Sequence, residues 1–286
     1  MALTTFASVF ALVALLGFLV LSAAKFAKYA KFNQHSRMDL YPVPKEGNGR
    51  GKYGGSYMEE DEWWKKERSI NTGAEWLDIF KEMFFIRKLF VNQKSLWFSS
   101  FVFHGGIYVM MLWSILLLIS AFVCPDWLAA VINVVGVIGF AAAGIGALTL
   151  LLRRIFDKSL AVYTTPVEYF NLVFILVVLA TGAVAWLTAA SPIETAKAVV
   201  SFNFAEMPAI VAVHLVLMGL MMLYIPASKM GHYAGKFFAF RSVMWNNEPN
   251  LPGSKVAADV HASNAAGASV TWSAHQPSPD NSQMEG

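Results

Sequence analysis

Hydrophobic residues fall into five long blocks, at about 3–24, 96–122, 128–152, 167–189 and 208–226, separated by polar stretches of unequal length. A helix rises about 1.5 Å per residue, so about 20 apolar residues cross the roughly 30 Å of bilayer hydrocarbon, and each block is long enough to span. The pattern predicts an all-α polytopic membrane protein of five transmembrane helices. A different periodicity occupies the polar stretch between the first two blocks. Over 74–90, Trp76, Ile79, Phe80, Met83, Phe84 and Arg87 recur at three- and four-residue steps, which predicts an amphipathic helix with its aromatic face in lipid or against a soluble partner. Residues 40–57, rich in Pro, Gly and Tyr, read as irregular.

Charge orients the spans. Most Lys and Arg lie in 25–95, at Arg153, Arg154 and Lys158, or beyond Lys229, and Lys197 is the exception among 22 basic residues. By the positive-inside rule this places the N-terminus outside and the C-terminus in the cytoplasm. The expected divisions are an uncleaved anchor at 1–24, a cytoplasmic loop at 25–95 with the amphipathic helix, a four-helix membrane domain at 96–246, and a disordered tail at 247–286. The cluster Met58-Glu59-Glu60-Asp61-Glu62-Trp63-Trp64 suits either a partner contact or a solvated run. The small-residue stripe Gly139, Ala143 and Ala147 on the third span serves close helix packing. The net charge of +3 reports topology, so no nucleic-acid partner is expected. With 56% hydrophobic and 14% charged residues, the composition also fits the bilayer.

The single cysteine, Cys124, excludes a disulfide framework and any iron–sulfur or zinc site built on cysteines of this chain alone. The absence of a C-x-x-C-H run excludes c-type haem attachment. Histidine carries the remaining chemistry. His104 lies about eight residues into the second block and His214 about six residues inside the opposite end of the fifth, so the two reach similar depth from opposite ends. An ionisable side chain there is a functional candidate by default. Two neutral imidazoles on facing helices suit the axial positions of a b-type haem without adding charge to the hydrocarbon, and Gly105 and Gly106 beside His104 leave room for a flat macrocycle. A histidine hydrogen-bonded to a neighbouring helix is the alternative. His232 follows His214 by 18 residues, five whole turns if the helix continues through Pro226, and could ligate a second haem whose propionates meet Lys229, Lys236 and Arg241, or simply meet headgroups. Asp126 and Glu206, near the outer surface, are candidates to accept quinol protons, or ordinary headgroup-level acids.

Three motifs over residues 58–250 carry a family resemblance: Trp97-Phe98 with Phe103-His104-Gly105-Gly106, Thr164-Thr165-Pro166-Val167-Glu168-Tyr169-Phe170-Asn171, and His214 followed by Tyr224-Ile225-Pro226-Ala227-Ser228-Lys229-Met230-Gly231-His232. They resemble the cytochrome b subunits similar to the gamma subunit of respiratory nitrate reductase, and more closely the branch paired with heterodisulfide-reductase-like iron–sulfur subunits in sulfate reducers and related anaerobes. In the nitrate reductase branch the second span carries two histidines ten residues apart and the fifth two histidines eighteen apart, serving two haems. His104, His214 and His232 fall on three of those positions and Lys94 on the fourth. The resemblance implies one or two b haems, two in the full pattern, with His104 and His214 on the outer one and His232 on the inner one. Lys94 would complete the inner site as a neutral amine, or act as an ordinary anchor residue. It further implies a quinone-reactive oxidoreductase subunit in the inner membrane. Electrons would pass between menaquinone or menaquinol and a cytoplasmic iron–sulfur partner resembling heterodisulfide reductase, with a periplasmic multihaem cytochrome c as a further candidate partner. A non-redox membrane anchor for a cytoplasmic enzyme is the alternative function.

Overall fold

The computed structural model describes residues 2–31, 60–65, 71–203, 206–240 and the short stretches 252–254, 257–258 and 261–262. The expectations for residues 40–57, for Arg241 and for nearly all of the tail beyond 247 lie outside the described residues. The chain divides into two compact units, one of residues 1–30 with 72–238 and one of residues 31–71 with 239–286. In the second, the described part of the acidic-aromatic cluster forms a turn of 3-10 helix, Trp63–Lys65, with Lys65 paired to Glu62. All of the following concerns the first.

Among the described residues the secondary structure is helical. Five helices are long and apolar enough to cross a membrane: α1 (Ala2–Ala30), α4 (Lys94–Ser120), α5 (Asp126–Phe156), α7 (Pro166–Thr188) and α9 (Ala209–Ala227). They coincide with the five hydrophobic blocks. Shorter helices join or flank them: α2 (Thr72–Phe85), α3 (Arg87–Asn92), α6 (Lys158–Ala161), α8 (Pro192–Val200) and α10 (His232–Phe240). One end of the bundle carries Lys25, Arg153, Arg154 and Lys229, and is called here the basic end. Large apolar side chains face outward along every span, as a lipid-facing surface requires.

The bundle packs through small residues. The stripe on α5 is buried, with Ala143 and Ala147 fully so. A Cβ on Gly106 of α4 would collide with the backbone of Ala143, and one on Gly146 of α5 with the backbone of Phe103, so the two helices touch backbone to backbone at the level of His104. Helix α1 packs on α9 through side chains, Ala7 and Ala11 with Ala212 and Leu215, and Phe10 and Ala14 against Gly219.

Local chemistry fixes the helix ends. Thr165 and Glu168 form a capping box at the start of α7, with Pro166 in the first turn, and Tyr169 donates its hydroxyl to the Arg154 carbonyl at 2.8 Å. Tyr224 of α9 donates to Asn171 Oδ1 at 2.8 Å. Much of the Thr164–Asn171 motif therefore seats one span against its neighbours.

Two expectations are corrected. The fifth span does not run through to His232. The helix passes through Pro226 and stops at Ala227, Ser228 is extended, and a 3-10 turn over Lys229–Gly231 leads into α10, so the five-turn phase relation between His214 and His232 is lost. The amphipathic stretch 74–90 is broken at Ile86, whose left-handed φ of 53° reverses the chain between α2 and α3. On α2 the aromatic residues Trp76, Phe80 and Phe84 are exposed, while Glu75, Ile79 and Glu82 form the buried face.

Candidate functional site

His104 stands on the third turn of α4, where the Gly106–Ala143 and Gly146–Phe103 contacts fix α4 against α5. Its Nδ1 lies 2.7 Å from the Ser100 carbonyl and 3.3 Å from Ser100 Oγ. Nδ1–H donating to that carbonyl leaves Nε2 as the nitrogen with an available lone pair, the arrangement that orients metal-ligating histidines.

His232 opens α10 and is exposed, with the backbone carbonyls of Lys229 and Met230 near its ring. The extended Ser228 positions this turn, its Oγ accepting from Met230 N at 3.1 Å. Lys25 of α1 donates to the Pro226 carbonyl at 2.9 Å, and its Nζ occupies the space that a side chain on Gly231 would fill. Ser22 and Tyr233 share a hydrogen bond of 2.6 Å. The Ser228-Lys229-Met230-Gly231-His232 run is thereby seated on the end of the first span.

These two elements bring His104 and His232 together, with ring centroids 6.0 Å apart and planes at 81°. An imidazole nitrogen sits about 2 Å from a metal it ligates and about 1 Å from its own ring centre, so two imidazoles on opposite sides of one ion have centres about 6 Å apart. Among the described residues no group of three or more His, Cys, Asp or Glu is gathered for a bare ion. A macrocycle that brings its own four equatorial nitrogens needs only two protein ligands, and the donor set of this pair fits it. A Cβ on Gly105, the neighbour of His104, would meet nothing within 4 Å.

The remaining sequence candidates are distributed elsewhere. His214, on α9, has Nδ1 3.3 Å from Thr181 Oγ1 of α7, with the Val178 carbonyl as a further partner, and its Cε1 packs against Gly182 beside Phe140. On the scale of α5, Phe140 and Gly146 differ by six residues, about 9 Å, so His214 lies about that much further from the basic end than His104. The expected match in depth gives way to contact between His104 and His232. Lys94 begins α4 with its Nζ 5.7 Å over the Phe90 ring, and the imidazole against His232 is that of His104. Asp126 and Glu206 are exposed at the end opposite the basic one, and Lys229 is exposed at the basic end.

Residues without a signal in the apolar pattern complete the surroundings. Glu82 Oε1 pairs with Lys236 Nζ at 2.9 Å, one turn beyond His232, and Glu82 Oε2 accepts from the backbone N–H of Lys88 at 2.9 Å. Partial burial holds the Lys88 amine below the usual lysine range, against the opposing pull of Glu82 and Asp78. The available signal was the position of Glu82, seven residues after Glu75 and opposite the aromatic face of α2. No protein-family model, curated protein or solved structure matches this chain.

Proposed function

We propose that this chain is the haem b-carrying membrane subunit of an oxidoreductase, exchanging electrons between menaquinone or menaquinol and a cytoplasmic iron–sulfur partner. The observation that carries the reading is the His104–His232 pair, two imidazoles with ring centres 6.0 Å apart, one on the second span and one on the short helix that follows the fifth, which could hold a haem between them. A haem held there takes up and passes on single electrons, and its potential is set by ligand type, burial and neighbouring hydrogen bonds.

Each nearby residue has a part in that task. The Ser100 carbonyl holds the His104 ring in the tautomer that presents Nε2. Lys25 and Lys236 place positive charge near His232, which favours an added electron and suits anionic substituents on a bound macrocycle. The positive-inside rule makes the basic end cytoplasmic, in the inner membrane, so His232 stands where an electron leaves for a docked soluble subunit. Asp126 and Glu206, at the far end, are placed to take protons from a quinol oxidised near the opposite surface.

The resemblance pairs His104 with His214 and leaves the partner of His232 open, with Lys94 as a candidate, whereas the ring contact favours His104 with His232. A dithionite-reduced minus oxidised spectrum of the purified chain, with pyridine haemochrome quantification, tests the function. At least one b haem per chain is expected. A folded, cofactor-replete preparation with none overturns the reading and leaves the non-redox membrane anchor, which needs the spans but not the imidazole pair.

A further inference from the structure

Helix α2 reaches deeper than a helix lying on a membrane surface. Arg153 Nη1 donates to the carbonyl and the Oγ of Ser95, at 2.6 and 2.9 Å, so Ser95 marks the level where α4 meets the basic end. Tyr108 follows Ser95 by thirteen residues, about 20 Å along the helix, and its hydroxyl donates to the Met83 carbonyl at 2.8 Å. Even with the tyrosine side chain leaning back by about a turn, Met83 lies roughly 10 Å inside that level. Phe84 packs on Tyr108 and Phe85 on Phe101, at centroid distances of 5.3 and 5.6 Å. The chain then reverses at Ile86 and returns through α3 to the start of α4.

A helix C-terminus at such depth needs partners for its last carbonyls. Three are supplied: Tyr108 donates to Met83, Trp97 Nε1 to Phe85 at 2.7 Å, and Lys236 Nζ to Glu82 at 3.3 Å. Trp76, Phe80 and Phe84 form an outward aromatic ladder along the open side of α2, beside the exposed Lys81. Helices α2 and α3 therefore form a hairpin whose turn packs against the first half of α4. It brings one carboxylate, Glu82, to Lys236 on the helix that carries His232. Helix α10 is not continuous with the fifth span, so side-chain contacts set its position, and Glu82–Lys236 is the contact that comes from the hairpin leading directly into α4, the helix of His104.

We propose that Glu82 is a positioning residue whose ion pair with Lys236 acts as a strut, holding His232 in register with His104. Its spectroscopic consequence rests on the haem reading above. In the full chain, Glu82→Gln and Lys236→Met are each expected to weaken haem affinity about ten- to a hundredfold and to change the ferric low-spin resonance in the same way. Lys236→Arg, and the exchange of Glu82→Lys with Lys236→Glu, are expected to retain both. Single variants that leave affinity and resonance unchanged overturn the strut, whether the potentials stay put or move in opposite directions, the latter marking a purely electrostatic influence. A readout free of cofactor separates the two proposals. With Cys124→Ser, His104→Cys and His232→Cys, a short bis-thiol cross-linker is expected to join the two positions, and adding Glu82→Gln to lower the yield severalfold. Unchanged yield overturns the strut, whereas a wild-type chain without haem overturns only the haem reading.

Discussion

The His104 ring stands 6.0 Å from that of His232 on a helix that begins only after the fifth span has ended. The His104 ring is steered by the Ser100 carbonyl, 2.7 Å from its Nδ1. A backbone partner sets the rotation of a ring about its own bonds, whereas the placement of α10 against α4 depends on side-chain contacts such as Glu82–Lys236.

Loss of either imidazole should remove the same haem. His104→Ala and His232→Ala are each expected to abolish one b-type spectral component, and the double variant to do no more than either alone. Lys94→Ala should leave it intact, since the Lys94 amine stands over Phe90. His214→Ala should also leave it intact, because His214 belongs to the Thr181–Gly182 contact. Haem per chain by pyridine haemochrome decides, and loss of this component in His214→Ala would restore the pairing implied by the resemblance.

The adjacent glycines have separate uses. A methyl group on Gly106 enters the backbone of Ala143, so Gly106→Ala is expected to destabilise the bundle by about 1–3 kcal/mol through overpacking. Gly105 has open space around its missing Cβ, so Gly105→Ala is expected to be neutral or to gain up to about 1 kcal/mol from helix propensity. Thermal unfolding in one detergent, followed by far-UV circular dichroism, should show melting points moving in different directions.

The spans were legible because burial in lipid selects composition, and α4, α5 and α7 begin and end within a few residues of their hydrophobic blocks. Only α1 overruns its block substantially, continuing to Ala30 because residues 25–30 still offer apolar partners for α10, such as Phe26 against Tyr233. Pairing of the histidines was not legible. Depth counted along one helix ignores where its neighbour starts, and the Ser228 break displaces His232 in a way that the 18-residue spacing does not encode. Gly106 was read as room for a macrocycle, yet a glycine looks the same in sequence whether a ligand or a helix comes close to it. Glu82 was hidden because periodicity ranks apolar faces, and in α2 the informative face is the polar one turned inward.

Tyr108→Phe probes the α2–α3 hairpin without disturbing charge. It removes the donor to the Met83 carbonyl and leaves that acceptor in apolar surroundings, at an expected cost of about 1–3 kcal/mol. Trp97→Phe does the same to Phe85. With α2 docked at depth, both variants should raise proteolytic cleavage between residues 72 and 92 in proteoliposomes. Unchanged cleavage and unchanged melting would mean that those carbonyls are met by water, and α2 would then lie at the surface.

Orientation follows from one thiol. Cys124, the single cysteine of the chain, sits in the turn between α4 and α5, at the end opposite Arg153 and Arg154, and carries no disulfide. The positive-inside rule places those arginines in the cytoplasm, so Cys124 is expected to face outward. A membrane-impermeant maleimide should label it in spheroplasts, and Cys124→Ser should abolish the signal. Labelling confined to inverted vesicles would reverse the topology and with it the side of the membrane on which His232 stands. The His104–His232 contact would survive that reversal, because it depends on the packing of α4 and α10 and not on which compartment lies beyond them.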